Sequence, residues 1–259
     1  MNWDTFIYFA ITSGLCWISG AWFAFRHKRK AALTLSGLGS ALFLVFIIGF
    51  WVELERPPLR TMGETRLWYS FFLSVVGTAL YGKCKYPWML GFSALMSLVF
   101  IFINLLKPEI HSTTLMPALQ SPWFVPHVIV YMFSYAMMGA ATLTALYLWF
   151  RKKPEEPTTG ELTVCDNLVR IGWAFLSLGM TMGALWAKEA WGDYWTWDPK
   201  ETWALATWFS YLLYLHLRPA YRNHHFLFAW LIFSFILLQM CWWGIHFLPS
   251  AQGASIHTY

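Results

Sequence analysis

Arg26–Val52 reads RHKRKAALTLSGLGSALFLVFIIGFWV. A basic cluster is followed by residues 32–52, in which no side chain carries a charge. As a helix rising ~1.5 Å per residue, that run is as long as the roughly 30 Å hydrocarbon core of a bilayer. Runs of the same kind recur on either side, so that spans are expected at about 5–25, 32–52, 67–82, 87–106, 127–150, 170–188, 202–217 and 225–247. The span at 67–82 is, with 202–217, the shortest of the eight. The chain is 58% hydrophobic, 20% aromatic and 12% charged, against about 25% charged in soluble domains. The alternating pattern of a membrane barrel is missing. The expected fold is all-α: a polytopic integral membrane helical bundle of about eight transmembrane helices, forming a single domain over 1–259.

Charge sets the expected orientation. The connections at 26–31, 83–86, 151–169 and 218–224, with Arg170 at their edge, carry twelve Lys and Arg. The opposite connections carry Arg56, Arg60, Arg66, Lys107, Lys188 and Lys200. The first set is therefore expected in the cytoplasm, with both termini on the outer side. No basic residue precedes the first span and RHKRK follows it, the charge order of a helix entering with its N-terminus outside rather than of a cleaved signal peptide. The net charge of +5 is scattered over inner connections, which argues against nucleic-acid binding. The segments 151–166 and 53–68 read as solvated loops on opposite sides. Cys16, Cys84, Cys165 and Cys241 include no C-x-x-C pair, so neither a disulfide relay nor haem attachment to this chain is expected.

On the outer side, Trp191–Trp203 reads WGDYWTWDPKETW, with four tryptophans and a tyrosine in a polar-flanked connection. An interfacial aromatic belt explains scattered residues such as Trp3, Trp51 and Trp88. It does not require the tight order of this loop, expected at about 188–202. Gly192 permits a close approach or an unusual turn, Pro199 stiffens the exit, and Glu201 suits a helix start. The loop reads as a seat for something flat. His127, which opens the fifth span after Pro126, and His257, third from the C-terminus, share its side. Haem iron takes one imidazole above the ring and one below, which makes these two candidate axial ligands. His216 lies about 21 Å down the seventh helix from Thr202, toward the inner leaflet. It is either an interfacial residue or a second, deeper ligand. His246 competes with His257 as a weaker candidate. His27, His224 and His225 read as ordinary flanking residues, and His111 as an outer-loop residue.

The pattern Trp191, Gly192, Trp195, Trp197, Asp198, Pro199, Lys200, Glu201 and Thr202 resembles the WWD signature of the haem-handling proteins of cytochrome c biogenesis. That group includes the CcsA, CcmC and CcmF branches. The D-P-K-E-T ending is most similar to CcsA, the membrane component of the system II cytochrome c synthase. RPPLRTMGETRLWYSF, SPWFVPHVIVYMFSYAMM, YLHLR and the final IHTY also resemble CcsA segments.

The resemblance implies that haem b is carried as cargo. The loop, including Trp191, Gly192, Trp195, Trp197 and Asp198, would cradle it at the outer face between His127 and His257. His216 would ligate iron with a histidine from a ResB-like membrane partner that this chain lacks. The partnership would act as a cytochrome c haem lyase on C-x-x-C-H apocytochromes that thiol-reducing proteins keep reduced. Arg56, Arg60, Arg66, Lys188 and Lys200 are the candidate cations for the haem propionates. Asp198 has an alternative role, bracing the loop through backbone N–H groups. A CcmC-like haem exporter or chaperone would share the outer site without needing His216, and a scaffold binding lipid or quinone would carry no iron-porphyrin spectrum. With no transit peptide visible, a bacterial inner membrane is favoured over a thylakoid, although an organelle-encoded copy would look the same.

Overall fold

The computed structural model describes residues 1–111, 121–150, 158–221 and 223–248. These residues contain eight α-helices and no strand. The helices are α1 (Trp3–Phe25), α2 (Arg29–Leu54), α3 (Met62–Cys84), α4 (Pro87–Leu106), α5 (Phe124–Phe150), α6 (Thr159–Trp191), α7 (Pro199–Ala220) and α8 (His224–Trp242). All except α3 and α7 are long and apolar enough to cross a bilayer by themselves. The chain is a polytopic helical membrane protein.

Three expectations about boundaries change. α3 starts at Met62 and has 23 residues, so it is not the shortest helix; α8, with 19, is. α6 starts at Thr159 and runs for 33 residues, taking in much of the segment expected as a solvated loop. It also runs on to Trp191, and α7 starts at Pro199, so the non-helical part of the tryptophan connection is only 192–198.

The early starts have a local cause. Thr61 caps α3 by accepting from the Glu64 N–H at 3.1 Å, and Glu64 returns a carboxylate to the Thr61 N–H at 3.2 Å. Thr158 and Glu161 repeat this reciprocal box at the start of α6, at 3.3 and 2.8 Å. Each box satisfies two N–H groups that a helix start would leave unpaired. Glu64, only 2% exposed, also receives a two-pronged Arg56 guanidinium at 2.8 and 2.9 Å. A buried carboxylate of this kind is tolerable because it is both paired and hydrogen-bonded. Beside it, burial and the Arg56 charge lower the Arg60 pKa, while Glu64 opposes them.

The chain divides into two compact units, Met1–Leu115 and Met116–Tyr259. In the first, α1 packs on α2 and α4, and α3 packs on α2 and α4, closing a ring of four helices. The α1 surface explains why a bilayer must surround it. Ile7, Ile11, Leu15, Ile18, Trp22 and Phe25 form an exposed apolar stripe at spacings of three and four. The opposite face buries small or mixed residues: Ala10, Ser13, Gly14, Trp17, Gly20 and Ala24. Small residues let membrane helices approach, and hydroxyls then bond across the contact. Ser70 and Ser97 exchange Oγ-to-carbonyl bonds between α3 and α4 at 3.2 and 2.9 Å. Ser40 joins Ser74 at 2.9 Å and accepts from Trp17 Nε1 at 3.2 Å, linking α1, α2 and α3. Each such bond contributes on the order of 1 kcal/mol in a membrane.

In the second unit, α5 packs on α6 and α8, and α7 also packs on α6 and α8. This second ring of four brings the start of α5, the end of α6 and the start of α7 to one end of the unit.

Candidate functional site

The connection between α6 and α7 is held by its ends. Gly192 caps α6 at φ +95° with its N–H on the Lys188 carbonyl. A Cβ added there would meet nothing within 4 Å, so the glycine is needed for the left-handed turn and not for close approach. Lys188 donates to the Gly192 carbonyl at 2.5 Å, and its ammonium lies 5.4 Å from the Tyr194 ring centroid.

At the other end, Asp198 is the N-cap of α7, with Oδ1 accepting from the Lys200 N–H at 2.8 Å. Glu201 Oε2 folds back to accept from the N–H groups of Thr196 at 2.8 Å and Asp198 at 3.2 Å. Both carboxylates are buried. The acidic part of the D-P-K-E-T sequence is thus a capping box with Pro199 at the first helical position, where a missing N–H costs nothing. Asp198 stands here as a brace of the loop.

One residue beside the box is strained. Trp197 has φ +59°, a left-handed conformation that is an outlier for a bulky side chain. Such a conformation costs roughly 1–3 kcal/mol and clusters at functional sites. Its ring is 67% exposed, in T-shaped contact with Trp195 at 5.8 Å. The Trp195 Nε1–H is buried and meets no acceptor among the described residues. The loop therefore displays the Trp197 indole and the Tyr194 ring and keeps the Trp195 indole half-buried.

His127 lies one turn into α5, with its backbone N–H on the Trp123 carbonyl at 3.1 Å. Ser121, just before the helix, donates to Glu189 near the end of α6 at 2.5 Å and tethers the α5 entry there. The imidazole Nδ1 is 2.8 Å from the Gly179 carbonyl oxygen. That oxygen can only accept, so Nδ1 carries a proton, and in the neutral imidazole Nε2 is then the atom with the lone pair. Tyr131 stands edge-on to the ring at 4.6 Å, and Trp186 lies 5.5 Å away.

Trp186 went unnoticed in the sequence. It is 2% exposed and touches Trp191 at 4.9 Å as well as His127, so it joins the histidine to the tryptophan loop. Its spacing of five from Trp191 in an apolar helix gives no separate signal. His127, Trp191, Gly192, Trp195, Trp197 and Asp198 thus belong to one end of one unit.

His216 lies on α7 toward the opposite end and is exposed. Its Nδ1 is 2.9 Å from the Leu212 carbonyl, so in the neutral ring Nε2 is again the atom with the lone pair. The rotation of α7 is fixed by Tyr214 and Arg218, which bond Asp166 of α6 at 2.8 and 3.0 Å. His216 consequently presents its ring away from α6. His246 falls in the 3-10 turn Gly244–Phe247, and His257 lies outside the described residues. Of the five candidate cations, Arg56 is engaged by Glu64 and Lys188 by the Gly192 carbonyl.

This fold and site define a class: polytopic membrane proteins that set a strained tryptophan loop beside a pre-oriented histidine. The chain belongs to the cytochrome c assembly protein family, whose model matches residues 7–251. It is similar to the cytochrome c biogenesis protein CcsA of Guillardia theta, 30% identical over 92% of this chain and 90% of that one. The corresponding protein of Chlorella vulgaris is 30% identical over 98% of this chain and 93% of its own. That of Chlamydomonas reinhardtii is 29% identical over 87% and 67%. The resemblance to CcsA read from the loop is borne out.

Proposed function

We propose that this chain, acting in c-type cytochrome maturation, holds haem b as cargo at the outer membrane face for attachment to apocytochrome c. The observation that carries the reading is the His127 ring. Its Nδ1–H is held by the Gly179 carbonyl, which fixes the ring so that Nε2 is the atom proposed to bind iron, two aromatic contacts from the Trp loop. His257 is the proposed ligand on the opposite face of the porphyrin. Trp197 and its neighbours stack against the macrocycle.

At the outer site each haem vinyl group meets a reduced thiol of a C-x-x-C-H segment. The S–H adds across the C=C bond: sulfur bonds one carbon and the proton goes to the other, with no net oxidation or reduction. The incoming histidine of that segment then replaces one protein ligand. The chain contributes orientation and effective concentration, and thiol-reducing proteins keep the substrate cysteines ready. His216 forms an inner site, toward the basic side of the membrane, with a histidine supplied by a ResB-like partner. Its outward ring, held by Leu212, suits a ligand completed from outside the chain. Relatives from algae and plants bring a thylakoid membrane forward beside the bacterial inner membrane.

The test is the reduced haem spectrum of the full chain purified alone and with its ResB-like partner. His216→Ala is expected to remove part of the haem absorbance from the complex, with recovery in imidazole, and to change nothing in the chain alone. A complex without any iron-porphyrin absorbance, or full holocytochrome yield from both His127→Ala and His216→Ala, would overturn the reading.

Trp197 supplies a second test. Trp197→Gly removes a left-handed strain of roughly 1–3 kcal/mol against an entropic cost of about 0.5–1 kcal/mol. Thermal unfolding in detergent is expected to stay level or rise, while haem content falls several-fold. Opposite movement of the two quantities marks the strain as serving the ligand.

A further inference from the structure

The face of α6 that meets α5 lacks side chains where α5 carries its polar ones. A Cβ built on Gly183 would stand 2.7 Å from His127 Cε1 and 2.9 Å from Nδ1. One turn earlier, a Cβ on Gly179 would meet the Tyr131 ring at 3.3 Å. Two turns further, Gly172 accepts from Ser134 Oγ at 2.7 Å, as Gly179 does from His127. The two helices thus pass with matching seven-residue steps, 127 to 134 against 179 to 172.

A Cβ does not sit within 3.0 Å of a neighbouring heavy atom, so a side chain at position 183 makes something shift, and the group it meets is the imidazole. Its way out is restricted. Tyr131 and Trp186 flank the ring, and Trp186 is itself buried against Phe124 and Trp191. A displaced ring gives up the Gly179 bond that sets its tautomer.

We infer that Gly183 is a positioning residue for haem ligation. Its missing side chain is the seat that lets His127 keep Nδ1–H on the Gly179 carbonyl and offer Nε2 to iron. The inference rests on His127 being a haem ligand. Removing the partner that orients a metal-bound histidine typically lowers metal affinity or activity by about 10–100-fold, and a crowded seat does the same.

The experiment uses the full chain co-expressed with its ResB-like partner. Gly183→Ala is expected to reproduce the reduced haem spectrum of His127→Ala, with haem content down about 10-fold or more, but not its imidazole rescue, because the added methyl group and the displaced ring fill the seat. Added to His127→Ala, it is expected to cause no further loss, because both changes act through one ring. Gly172→Ala crowds Met138 at 3.0 Å on the same α5–α6 contact but outside the His127 seat, so it serves as the packing control and retains the haem signal.

Should Gly183→Ala not accumulate, His127→Ala decides on its own through a choice of rescuing bases. Imidazole can donate to the Gly179 carbonyl and fits the vacated seat. 1-Methylimidazole has no N–H and carries a methyl group against the Gly179 carbonyl in its place, and is expected to rescue several-fold less. Equal rescue by the two bases overturns the inference, as does a wild-type spectrum in Gly183→Ala. In either case His127→Ala still tests ligation separately: if that variant alone keeps a wild-type spectrum, the ligand reading falls and the inference falls with it.

Discussion

His127→Ala is expected to lower both the haem bound by the complex and the yield of holocytochrome by at least ~10-fold, with millimolar imidazole restoring much of each. The size follows from what the protein does for the ring. Free imidazole must be gathered and oriented from solution, whereas His127 is already in place with one rotamer and one tautomer. Well-oriented intramolecular groups act at effective concentrations far above those of any added base. Recovery should therefore need a high imidazole concentration and stay incomplete. The vacated space is lined by Gly183, the Gly179 carbonyl and the edges of Tyr131 and Trp186, so the added base meets the same acceptor that held the native ring. Absorbance of the dithionite-reduced protein reads ligation, and haem staining of the matured cytochrome reads function. A variant with wild-type values in both would remove His127 from the site and make His246 the next residue to change.

Much of this was legible in the sequence, and the gaps have physical causes. Length and apolarity marked the helices, but they placed the starts of α3 and α6 too late. The missed signals were TMGE at 61–64 and TTGE at 158–161, capping boxes of the same form as DPKE at 198–201. Hydropathy undervalues such turns because their polar groups are spent on backbone N–H groups. α3 and α7 are the two helices that fall short as membrane spans by themselves, and each contributes one member of an ion pair: Glu64 with Arg56, and Arg218 with Asp166 of α6. The tryptophan loop and His127 stood out by residue type alone. Gly183 and Trp186 did not. A glycine in an apolar helix has no meaning until the residue opposite is known, and that partner lies 56 positions away in sequence. The strain at Trp197 was likewise invisible, because it belongs to a seven-residue connection held by caps at both ends.

That same arrangement makes Glu201 decisive although it touches no proposed iron ligand. Its carboxylate accepts from Thr196 N–H, Asp198 N–H and, at 3.4 Å, the Thr196 hydroxyl, which bridges the loop to the first turn of α7. Glu201→Ala removes half of a capping box, about 1 kcal/mol. That lost bond leaves the Asp198 N–H buried without its acceptor, which brings the total to about 1–3 kcal/mol. At the upper end of that range, a loss of ~3 kcal/mol shifts the local equilibrium by roughly 100-fold, since each 1.4 kcal/mol is a factor of ten. Trp197 stays left-handed only while the loop is over-determined, so its ring is expected to leave the displayed position first. Haem content and holocytochrome yield should fall about as far as in His127→Ala. Imidazole should not restore them, because the ligand is present and the seat for the ring is gone. Glu201→Gln keeps one acceptor oxygen and should lie between alanine and wild type. Recovery of Glu201→Ala by imidazole would mean that the loop merely supports ligation; failure to recover, beside a rescued His127→Ala, separates the aromatic seat from the iron ligand as two distinct parts of one site.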